Sequence, residues 1–369
     1  MHVIIGVMPA TPTVLLLSSN GAGMGHLTRL LAYGRRLPGQ VHRHVLSLSQ
    51  AVPAVEAEGL TWEYLPSQGA SGLRPATWRA LFADRVTEVL ERVDPDVLVF
   101  DGTHPYSGLD VALARHPRTR AVWSRRGMWK PGRNGHQLQK AAWFDSVLEP
   151  TDLAAPADTG ETADAEAVRV RPVTLLDREE LSGRAEARAA LGLPADGPLA
   201  LVSLGAGNIN DTDDEVGAAA AALTANGIGV CVTAPSIAER AYAGSDVHLV
   251  RHFPLSRHFR AFDHAVVAAG YNSFHETLRL GVPTLFVPNT ATSLDDQAAR
   301  ARYADRRGWA LAAPTLTDGR APALVAELVE RGPELAAQAQ ADDPGNGAAD
   351  AAAELLRVAA LPTRTGAAR

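Results

Sequence analysis

Short apolar runs alternate with longer amphipathic runs along most of the chain. The apolar runs are rich in Val and Leu and nearly continuous, which is typical of parallel strands buried on both faces. Nine strands are predicted, at residues 14–18, 45–49, 97–100, 121–123, 199–204, 229–233, 247–250, 265–268 and 284–287. Amphipathic segments that suit helices lie at residues 27–37, 78–93, 214–226 and 273–280. This alternation predicts an α/β fold with parallel sheets.

The alternation breaks once, between residues 149 and 172, where Pro, Asp, Thr and Ala predominate. This composition favours a surface loop or a connection between domains. A helix is predicted at residues 178–193, and a second series of strands begins at Leu199.

The two halves of the chain begin with the same pattern of a strand followed by a glycine-rich loop. This pattern is seen in VLLLSSNGAGMGH and again in LALVSLGAGNIND. We therefore predict two doubly wound, Rossmann-like domains, at residues 1–175 and 176–369, that face each other across a cleft. In such folds a ligand binds outside the carboxyl ends of the strands, where the strand order reverses.

Composition limits the classes of protein that fit. With 46% apolar and 21% charged residues, the chain has the balance of a soluble globular protein, which excludes wholesale disorder. The net charge of −6 argues against a nucleic-acid binder. Residues 1–160 carry 16 basic and 14 acidic side chains, against 19 and 27 in the remainder. The first half is therefore the better location for an anionic acceptor or surface.

Cys231 is the single cysteine, so an intrachain disulfide is excluded and we expect a buried thiol in a strand. No apolar stretch reaches the ~18 residues of a membrane span. The amino-terminal sequence MHVIIGVMPATP lacks the basic region of a secretory signal. These features predict a cytoplasmic protein.

Two glycine-rich loops follow predicted strands, and neither meets the dinucleotide pattern G-x-G-x-x-G. The first ends in Gly25 and His26, which places an imidazole at the start of a helix. The second contains Gly205, Gly207 and Asn208, whose backbone amides could hold a diphosphate. A simple tight turn remains an alternative for each loop.

A more specific pattern lies in residues 251–302. A strand ends in Gly270, and Asn272 and Ser273 are predicted to cap the helix that follows. Amide and hydroxyl donors at the amino end of a helix are suited to phosphate.

Glu276 lies one turn into that helix and could accept hydrogen bonds from both hydroxyls of a ribose. Asp296 and Gln297, after the next strand, could bind sugar hydroxyls. A plain capped helix and a solvated acidic loop are the alternatives, but they do not explain the joint order of these residues.

The quoted residues resemble the nucleotide-sugar signature of the two-domain GT-B glycosyltransferases. The matching segments are AAGYNSFHE (268–276), GVP (281–283), DDQ (295–297) and GMGHLTR (23–29). They are similar to the UDP-glycosyltransferases of small-molecule acceptors and to the peptidoglycan GlcNAc transferase. The resemblance covers most of the chain, with both halves in the expected order.

The resemblance implies that His26 is the general base that takes the acceptor's proton, oriented by Asp101. It implies diphosphate contacts from Asn272 and Ser273, a ribose contact from Glu276, and donor-sugar contacts from the Asp296–Gln297 pair. The full set predicted to bind the donor is Gly25, Gly205, Gly207, Asn208, Phe253, Gly270, Asn272, Ser273, Glu276, Asp296 and Gln297.

The chain departs from the family at Ala268, where the related enzymes carry a histidine or arginine that touches phosphate. Arg251, His252, Asn208 or the amides of residues 205–207 are candidates to replace it. The tryptophan that stacks on uracil is also missing near residues 251–255, which leaves base recognition to the backbone and Phe253.

The segment WSRRGMWKPGR at residues 123–133 interleaves basic and aromatic side chains. We predict that Arg125, Arg126 and Trp129 bind the acceptor. Peripheral contact with an anionic lipid surface at the inner face of the membrane, and a plain exposed loop, are the alternatives.

The resemblance implies an inverting glycosyltransferase that needs no metal or other cofactor. A UDP-sugar is the expected donor, with UDP-GlcNAc and UDP-glucose favoured, and a glycan, a lipid-linked glycan or a secondary metabolite is the expected acceptor. The D-x-D triplets at residues 94–96 and 211–213 are predicted to be a turn and a helix cap, not metal sites. A nucleotide-sugar epimerase or hydrolase, and a non-catalytic sugar-nucleotide-binding subunit, remain alternatives.

Overall fold

The computed structural model describes residues 11–19, 24–205, 212–233 and 247–362. In these ranges the strands form two parallel sheets, one in each half of the chain. The α/β class predicted from the sequence is confirmed, and each of the nine predicted strands is present. The predicted boundary between domains, near residue 175, stays a prediction.

The first sheet has the strand order β3-β2-β1-β4-β5-β6-β7. Its strands are β1 Thr13–Ser18, β2 His42–Ser47, β3 Thr61–Tyr64, β4 Val97–Asp101, β5 Arg120–Ser124, β6 Ser146–Pro150 and β7 Val168–Val170. Because β1 lies between β2 and β4, the order reverses there, and α1, which begins at Gly25, is the helix that follows β1 at this reversal point. Such a point is where doubly wound folds bind ligands.

The second sheet repeats this arrangement with the order β10-β9-β8-β11-β12-β13. Its strands are β8 Leu199–Ser203, β9 Gly229–Thr233, β10 Val247–Val250, β11 His264–Val267, β12 Thr284–Phe286 and β13 Leu311–Ala312. The order reverses between β8 and β11. Residues 268–270 directly follow β11, at the carboxyl end of one of these two strands.

Helices cover both faces of each sheet. They are α1 Gly25–Arg36, α2 Gln68–Ser71, α3 Pro75–Val93, α4 Leu109–Arg115, α5 Arg184–Ala190, α6 Asp213–Ala225, α7 Tyr271–Leu280, α8 Gln297–Arg306, α9 Ala321–Ala341 and α10 Ala348–Ala359. Short 3₁₀ segments lie at Val52–Glu58, Gly135–Trp143, Ala155–Ala157, Arg178–Glu180 and Leu255–Ala261. No helix of the described ranges is long and apolar enough to cross a membrane.

Alternate residues of β1 pack into two different cores. Val14 and Leu16 lie in the core beneath α1, whereas Leu15 and Leu17 lie in the core beneath α3 and α4. This is the two-sided burial that a continuous apolar strand predicts. The carboxyl-terminal helix α10 also packs against α1, so the end of the chain returns to the first sheet.

Two predictions about the segment between the sheets are wrong. Residues 149–172 are not a loop throughout, because β7 pairs in parallel with Leu148–Pro150 of β6. A strand of three residues has too few positions to produce a recognisable pattern. The helix predicted at residues 178–193 is broken into the 3₁₀ segment Arg178–Glu180 and α5, with Gly183 as the amino-terminal cap of α5.

Candidate functional site

The first half of the site is a pair formed by His26 and Asp101. His26 is the second residue of α1, and Asp101 is the last residue of β4, the strand beside β1. His26 Nδ1 lies 2.7 Å from Asp101 Oδ1. The carboxylate is fully buried, whereas 11% of the imidazole is exposed. The buried carboxylate of Asp101 thus holds the partly exposed ring of His26 at the point where the strand order reverses.

Asp101 is held by further groups that the sequence did not point out. Arg29, one turn beyond His26, donates to both oxygens of this carboxylate, at 3.0 Å from Nε and 2.5 Å from Nη2. Ser124 at the end of β5 donates to Oδ2 at 2.7 Å, and Tyr33 contacts the Ser124 hydroxyl at 2.9 Å. The spacing of three residues between His26 and Arg29 is the one available signal, because residues three apart share a helix face.

These contacts assign the proton on His26. Its Nδ1 lies near both the Asp101 carboxylate and Arg29 Nη2, but a lone pair facing a carboxylate at 2.7 Å would be repelled. Nδ1 therefore carries the proton and donates it to Asp101, which leaves Nε2 as a free base.

The electrostatic surroundings keep both groups in the forms that a base needs. Burial lowers the pKa of His26 below its ordinary value, and this effect is larger than the rise that Asp101 causes. The positive charges of Arg29 and Arg126 lower the pKa of His26 further. Burial by itself would raise the pKa of Asp101, but Arg29 and His26 bring it below its usual range. His26 is thus neutral beside an ionised carboxylate at neutral pH.

The second half of the site is the amino end of α7. The helix begins at Tyr271 with Gly270 in the cap position, so the prediction that Asn272 and Ser273 cap it is wrong; both lie in the first turn. Their backbone amides belong to the set that has no partner within the helix. Asn272 Nδ2 lies 3.5 Å from the carbonyl oxygen of Gly25, so the two halves of the site meet here.

Glu276 lies one turn further along α7 and is half-buried. The Ser256 hydroxyl donates to its Oε1 at 3.3 Å. Burial raises the pKa of Glu276 to about 7, because Ser256 and Arg279 offset only part of the cost of burying the charge. The carboxyl has unused acceptor capacity, as a ribose contact requires.

The DDQ segment begins α8 and divides into three roles. Asp296 caps the helix by accepting from the amide of Ala299 at 3.0 Å. Gln297 is buried and accepts from the amide of Asn289 at 3.0 Å, and its Nε2 lies beside Gly270. Asp295 forms ion pairs with Arg300 and Arg126. The structure thus places Gln297 next to Gly270, and their role in donor binding stays a prediction.

Arg300 ties these elements together and was not identified from the sequence. It is fully buried and donates to Asp152 at 2.8 Å, to Asp295 at 3.0 Å and to the carbonyl oxygen of Ala269 at 2.7 Å. Burial would by itself raise the pKa of Asp295, but Arg300 and then Arg126 lower it to about 2.

The segment predicted to bind the acceptor contacts the rest of the chain instead of extending into solvent. Arg125 is buried in an ion pair of 2.6 Å with Glu149. Trp129 is 2% exposed and forms an antiparallel bridge with Asp295. Arg126 Nη1 lies 3.4 Å from Asp295 Oδ1. The role of these three residues in acceptor binding stays a prediction.

The remaining predicted residues follow strands of the second sheet or lie outside the described ranges. Gly205 follows β8 with a φ of 117°. Phe253 is half-buried and packs against the core beneath α1. Ala268 is buried at the end of β11, and Arg251 and His252 are exposed. Gly207 and Asn208, like residues 20–23 of the first glycine loop, lie outside the described residues.

A pocket of about 510 Å³ opens in the first half of the chain, near the carboxyl ends of β3 and β4. Trp78 and Tyr106 supply aromatic surface, and their rings meet edge to face at 5.4 Å. Arg79, His104 and Lys140 supply basic groups. His104 lies three residues after Asp101, the last residue of β4, so this pocket and the His26–Asp101 pair both lie near the carboxyl end of that strand.

No family model matches the chain, but known proteins resemble it in sequence and in fold. The UDP-N-acetylglucosamine–N-acetylmuramyl-(pentapeptide) pyrophosphoryl-undecaprenol N-acetylglucosamine transferase of a Nocardioides species is 29% identical over 295 residues, which cover 74% of this chain and 77% of that one. The spinosyn rhamnosyltransferase SpnG, in complex with thymidine diphosphate, has a TM-score of 0.61 at 16% identity over 94% of this chain and 99% of its own. Acinetobacter baumannii MurG has a TM-score of 0.59 at 15% identity over 94% and 100%. The predicted fold and resemblance are confirmed.

Proposed function

We propose that this chain is a glycosyltransferase of the GT-B superfamily, which moves a sugar from a UDP-sugar to a hydroxyl or amine of its acceptor. The proposed reaction inverts the anomeric carbon and uses no metal or other cofactor. The observation that carries the proposal is the pairing of His26 with buried Asp101 at the carboxyl end of β4, opposite the amino end of α7.

His26 is the general base of the proposed reaction. Its Nε2 takes a proton from the acceptor hydroxyl or amine while that oxygen or nitrogen attacks the anomeric carbon. The bond from the anomeric carbon to the β-phosphate oxygen breaks, and its electron pair leaves with UDP. Because attack and departure take place on opposite faces in one displacement, the anomeric configuration inverts. Asp101 stabilises the imidazolium that forms.

The proposed donor site is the amino end of α7 and the start of α8. The first-turn amides of α7 and the Ser273 hydroxyl can stabilise charge on the departing diphosphate without a metal, because they are donors held in place before the reaction. In the proposed site, Glu276 accepts hydrogen bonds from the ribose hydroxyls, and Gln297 and Asp296 bind the sugar. UDP-GlcNAc and UDP-glucose are the favoured donors, and the name of the Nocardioides relative supports the first of them.

The proposed acceptor site is the pocket lined by Trp78 and Tyr106. Its aromatic surface suits a ring-containing acceptor, and its basic groups suit an acidic one. A glycan, a lipid-linked glycan or a secondary metabolite can meet these requirements. We propose action in the cytoplasm, with peripheral contact at the inner face of the membrane if the acceptor is lipid-linked.

The first experiment is a thermal-shift panel of UDP, TDP, GDP, ADP and NAD, repeated with the corresponding nucleotide sugars. A ligand at 100 times its Kd stabilises a protein by about 2.7 kcal/mol. We expect stabilisation by UDP and its sugars, and a UDP-sugar that binds then serves for an acceptor screen. Stabilisation by TDP alone would indicate a TDP-sugar as the donor in place of a UDP-sugar. If no nucleotide or nucleotide sugar raises the unfolding temperature, the proposed function is contradicted.

Substitution of the base tests the mechanism separately from donor binding. His26→Ala should lower the rate of sugar transfer by about 10²- to 10⁴-fold, the usual contribution of a general base. Its affinity for UDP should change less than about twofold. His248→Ala, an exposed position on β10, is the matched control. Transfer at the wild-type rate by His26→Ala would exclude this residue as the base, and donor cleavage without an acceptor would indicate a hydrolase.

A further inference from the structure

Arg126 lies between the two halves of the site. It follows β5 by two residues, and β5 is the neighbour of the strand that carries Asp101. Its Nη1 reaches Asp295, which directly precedes Asp296 and Gln297. Its charge also acts on the pKa of His26. Arg126 is thus a residue of the first half of the chain that faces the donor segment of the second.

The guanidinium of Arg126 is not satisfied by its surroundings. Its contact with Asp295 is 3.4 Å long, beyond the usual range of a charged hydrogen bond. The same Asp295 oxygen already accepts from Arg300 at 3.0 Å. Within the described ranges, Arg126 Nε has no hydrogen-bond partner, although only 18% of the side chain is exposed. The five donors of a guanidinium with so little exposure to solvent are normally matched by acceptors.

The charges around Arg126 favour the entry of an anion. Burial lowers the pKa of Arg126, and the positive charges of Arg29 and Arg300 lower it further, against the opposing effect of Asp295 and Asp101. Both neighbouring guanidiniums already bind their own carboxylates. A group with one or two negative charges beside Arg126 would relieve the repulsion among the three cations.

The segment that carries Arg126 is held rigidly between the two halves. Arg125 is anchored by its buried ion pair with Glu149. The amide of Met128 donates to Asp158 at 2.8 Å, and the carbonyl of Met128 accepts from the amide of Asp296 at 2.9 Å. A cationic side chain on a fixed backbone loses little entropy when it binds a ligand.

We infer that Arg126 binds the diphosphate of the nucleotide sugar, reaching across the cleft to neutralise the leaving group. This inference rests on the proposed function and adds a residue of the first half to the donor site. It also accounts for the departure at residue 268, where buried Ala268 offers no charge. A planar guanidinium can donate two parallel hydrogen bonds to phosphate oxygens, which a backbone amide cannot do.

The test compares ligands that differ only in their phosphates. UDP and uridine, and TDP and thymidine, are titrated calorimetrically into the wild-type chain, Arg126→Met and Arg126→Lys. Arg133→Met is the matched control, because Arg133 is an exposed arginine of the same segment. Circular dichroism and Tm establish that each variant is folded.

We expect Arg126→Met to weaken UDP binding by about 10- to 100-fold, the range for a lost charged hydrogen bond. Uridine affinity should change less than about threefold, because uridine carries no phosphate. Arg126→Lys should lose an intermediate amount, since an ammonium keeps the charge but not the paired geometry. Arg133→Met should behave as the wild type.

Each other outcome has a distinct meaning. Equal loss for UDP and uridine, or unchanged UDP affinity in Arg126→Met, would overturn the role of Arg126 while leaving the proposed function intact. If Arg126→Met does not fold and Arg126→Lys does, the role of Arg126 would be overturned by a UDP affinity of Arg126→Lys equal to that of the wild type. Failure of the wild-type chain to bind any nucleoside diphosphate would overturn both the proposed function and this inference.

Discussion

Arg29 binds both carboxylate oxygens of Asp101, from a position one helical turn beyond the histidine that contacts the same carboxylate. Its guanidinium also lies over the ring of Tyr271, 5.3 Å from the centroid, at the start of α7. Arg29 therefore fixes the orientation of Asp101 and connects the base to the helix proposed to bind the donor. We regard it as a positioning residue.

Replacement of Arg29 should change the pH dependence of transfer. In Arg29→Met, the positive charge that lowers the pKa of His26 is lost, while Asp101 remains to raise it. The acid limb of the pH–rate profile should therefore move to higher pH, and the rate at pH 7 should fall by about 10- to 100-fold. Steady-state rates from pH 5 to 9 measure both effects.

A second buried arginine separates this effect from loss of stability. Arg188 is buried beneath the second sheet, where it donates to backbone carbonyls such as that of Ala261. Arg188→Met should lower the free energy of unfolding without moving the acid limb. A profile for Arg29→Met that coincides with that of Arg188→Met would show that Arg29 is only structural.

Glu276 should make nucleoside binding depend on pH. Its pKa is about 7 because of burial, so much of the carboxyl is protonated at pH 6. Ribose hydroxyls donate to the ionised form, and binding should therefore strengthen as pH rises from 6 to 8. Uridine is the ligand to titrate, because its lack of phosphate removes the phosphate's own ionisation from the measurement.

Glu276→Gln should abolish this rise, because the amide does not titrate, and should weaken binding at pH 8 by about 1–3 kcal/mol. The exposed substitution Glu88→Gln is the control. A uridine affinity with the same pH dependence in the wild type and in Glu276→Gln would remove Glu276 from the ribose site.

His275 should make the protein less stable in acid. Burial lowers its pKa to about 4, and its neutral form accepts from the amide of Leu153 while its Nδ1 contacts the carbonyl of Tyr271. The unfolded chain takes up the proton near pH 6.5, before the folded chain does. Stability is therefore complete above about pH 6.5 and falls as pH drops to about 4, by up to about 3 kcal/mol.

Urea unfolding from pH 4 to 7 measures this loss. His275→Gln should flatten the slope between pH 4 and 6.5, because one titrating group is removed. The exposed substitution His42→Gln should leave the slope unchanged. Parallel slopes for the wild type and His275→Gln would contradict the buried neutral role of His275.

Arg300 should contribute more to stability than any exposed arginine of its helix. Arg300→Met leaves Asp152 and Asp295 buried without their main cation, and breaking a buried ion pair in this way costs about 3–5 kcal/mol. Arg302, exposed on the same helix, is the control, and Arg302→Met should change stability by less than about 0.5 kcal/mol. Urea denaturation compares the two; similar losses would show that the buried cation is dispensable.

Local patterns were enough to predict the strands that lie inside the sheets. Val14–Ser18 and Val97–Phe100 are continuous apolar runs, and both are buried strands. The strands that were not predicted are β3, β6, β7 and β13. Val168–Val170 is short and half-exposed, and Thr61–Tyr64 mixes polar and aromatic residues, so their pairing depends on the neighbouring strand more than on their own composition.

The same distinction applies to the residues of the site. Gly270, Glu276 and Gln297 were identified from a compact stretch of sequence, and the structure places Gln297 beside Gly270. Arg300 was missed, because nothing in the polar helix α8 distinguishes a buried arginine from an exposed one. Its burial depends on Asp152, which is 148 residues away along the chain.

The sequence by itself determined the order of strands and helices, the two glycine loops at matching places and the residue types available for chemistry. These features follow from local periodicity and short-range backbone preferences. Only the tertiary structure decided that His26 meets Asp101, that Arg29 holds this carboxylate, and that Arg126 faces Asp295 across the cleft. Such contacts join residues far apart in the chain, and they depend on strand order and on how the two sheets pack, which no local pattern encodes.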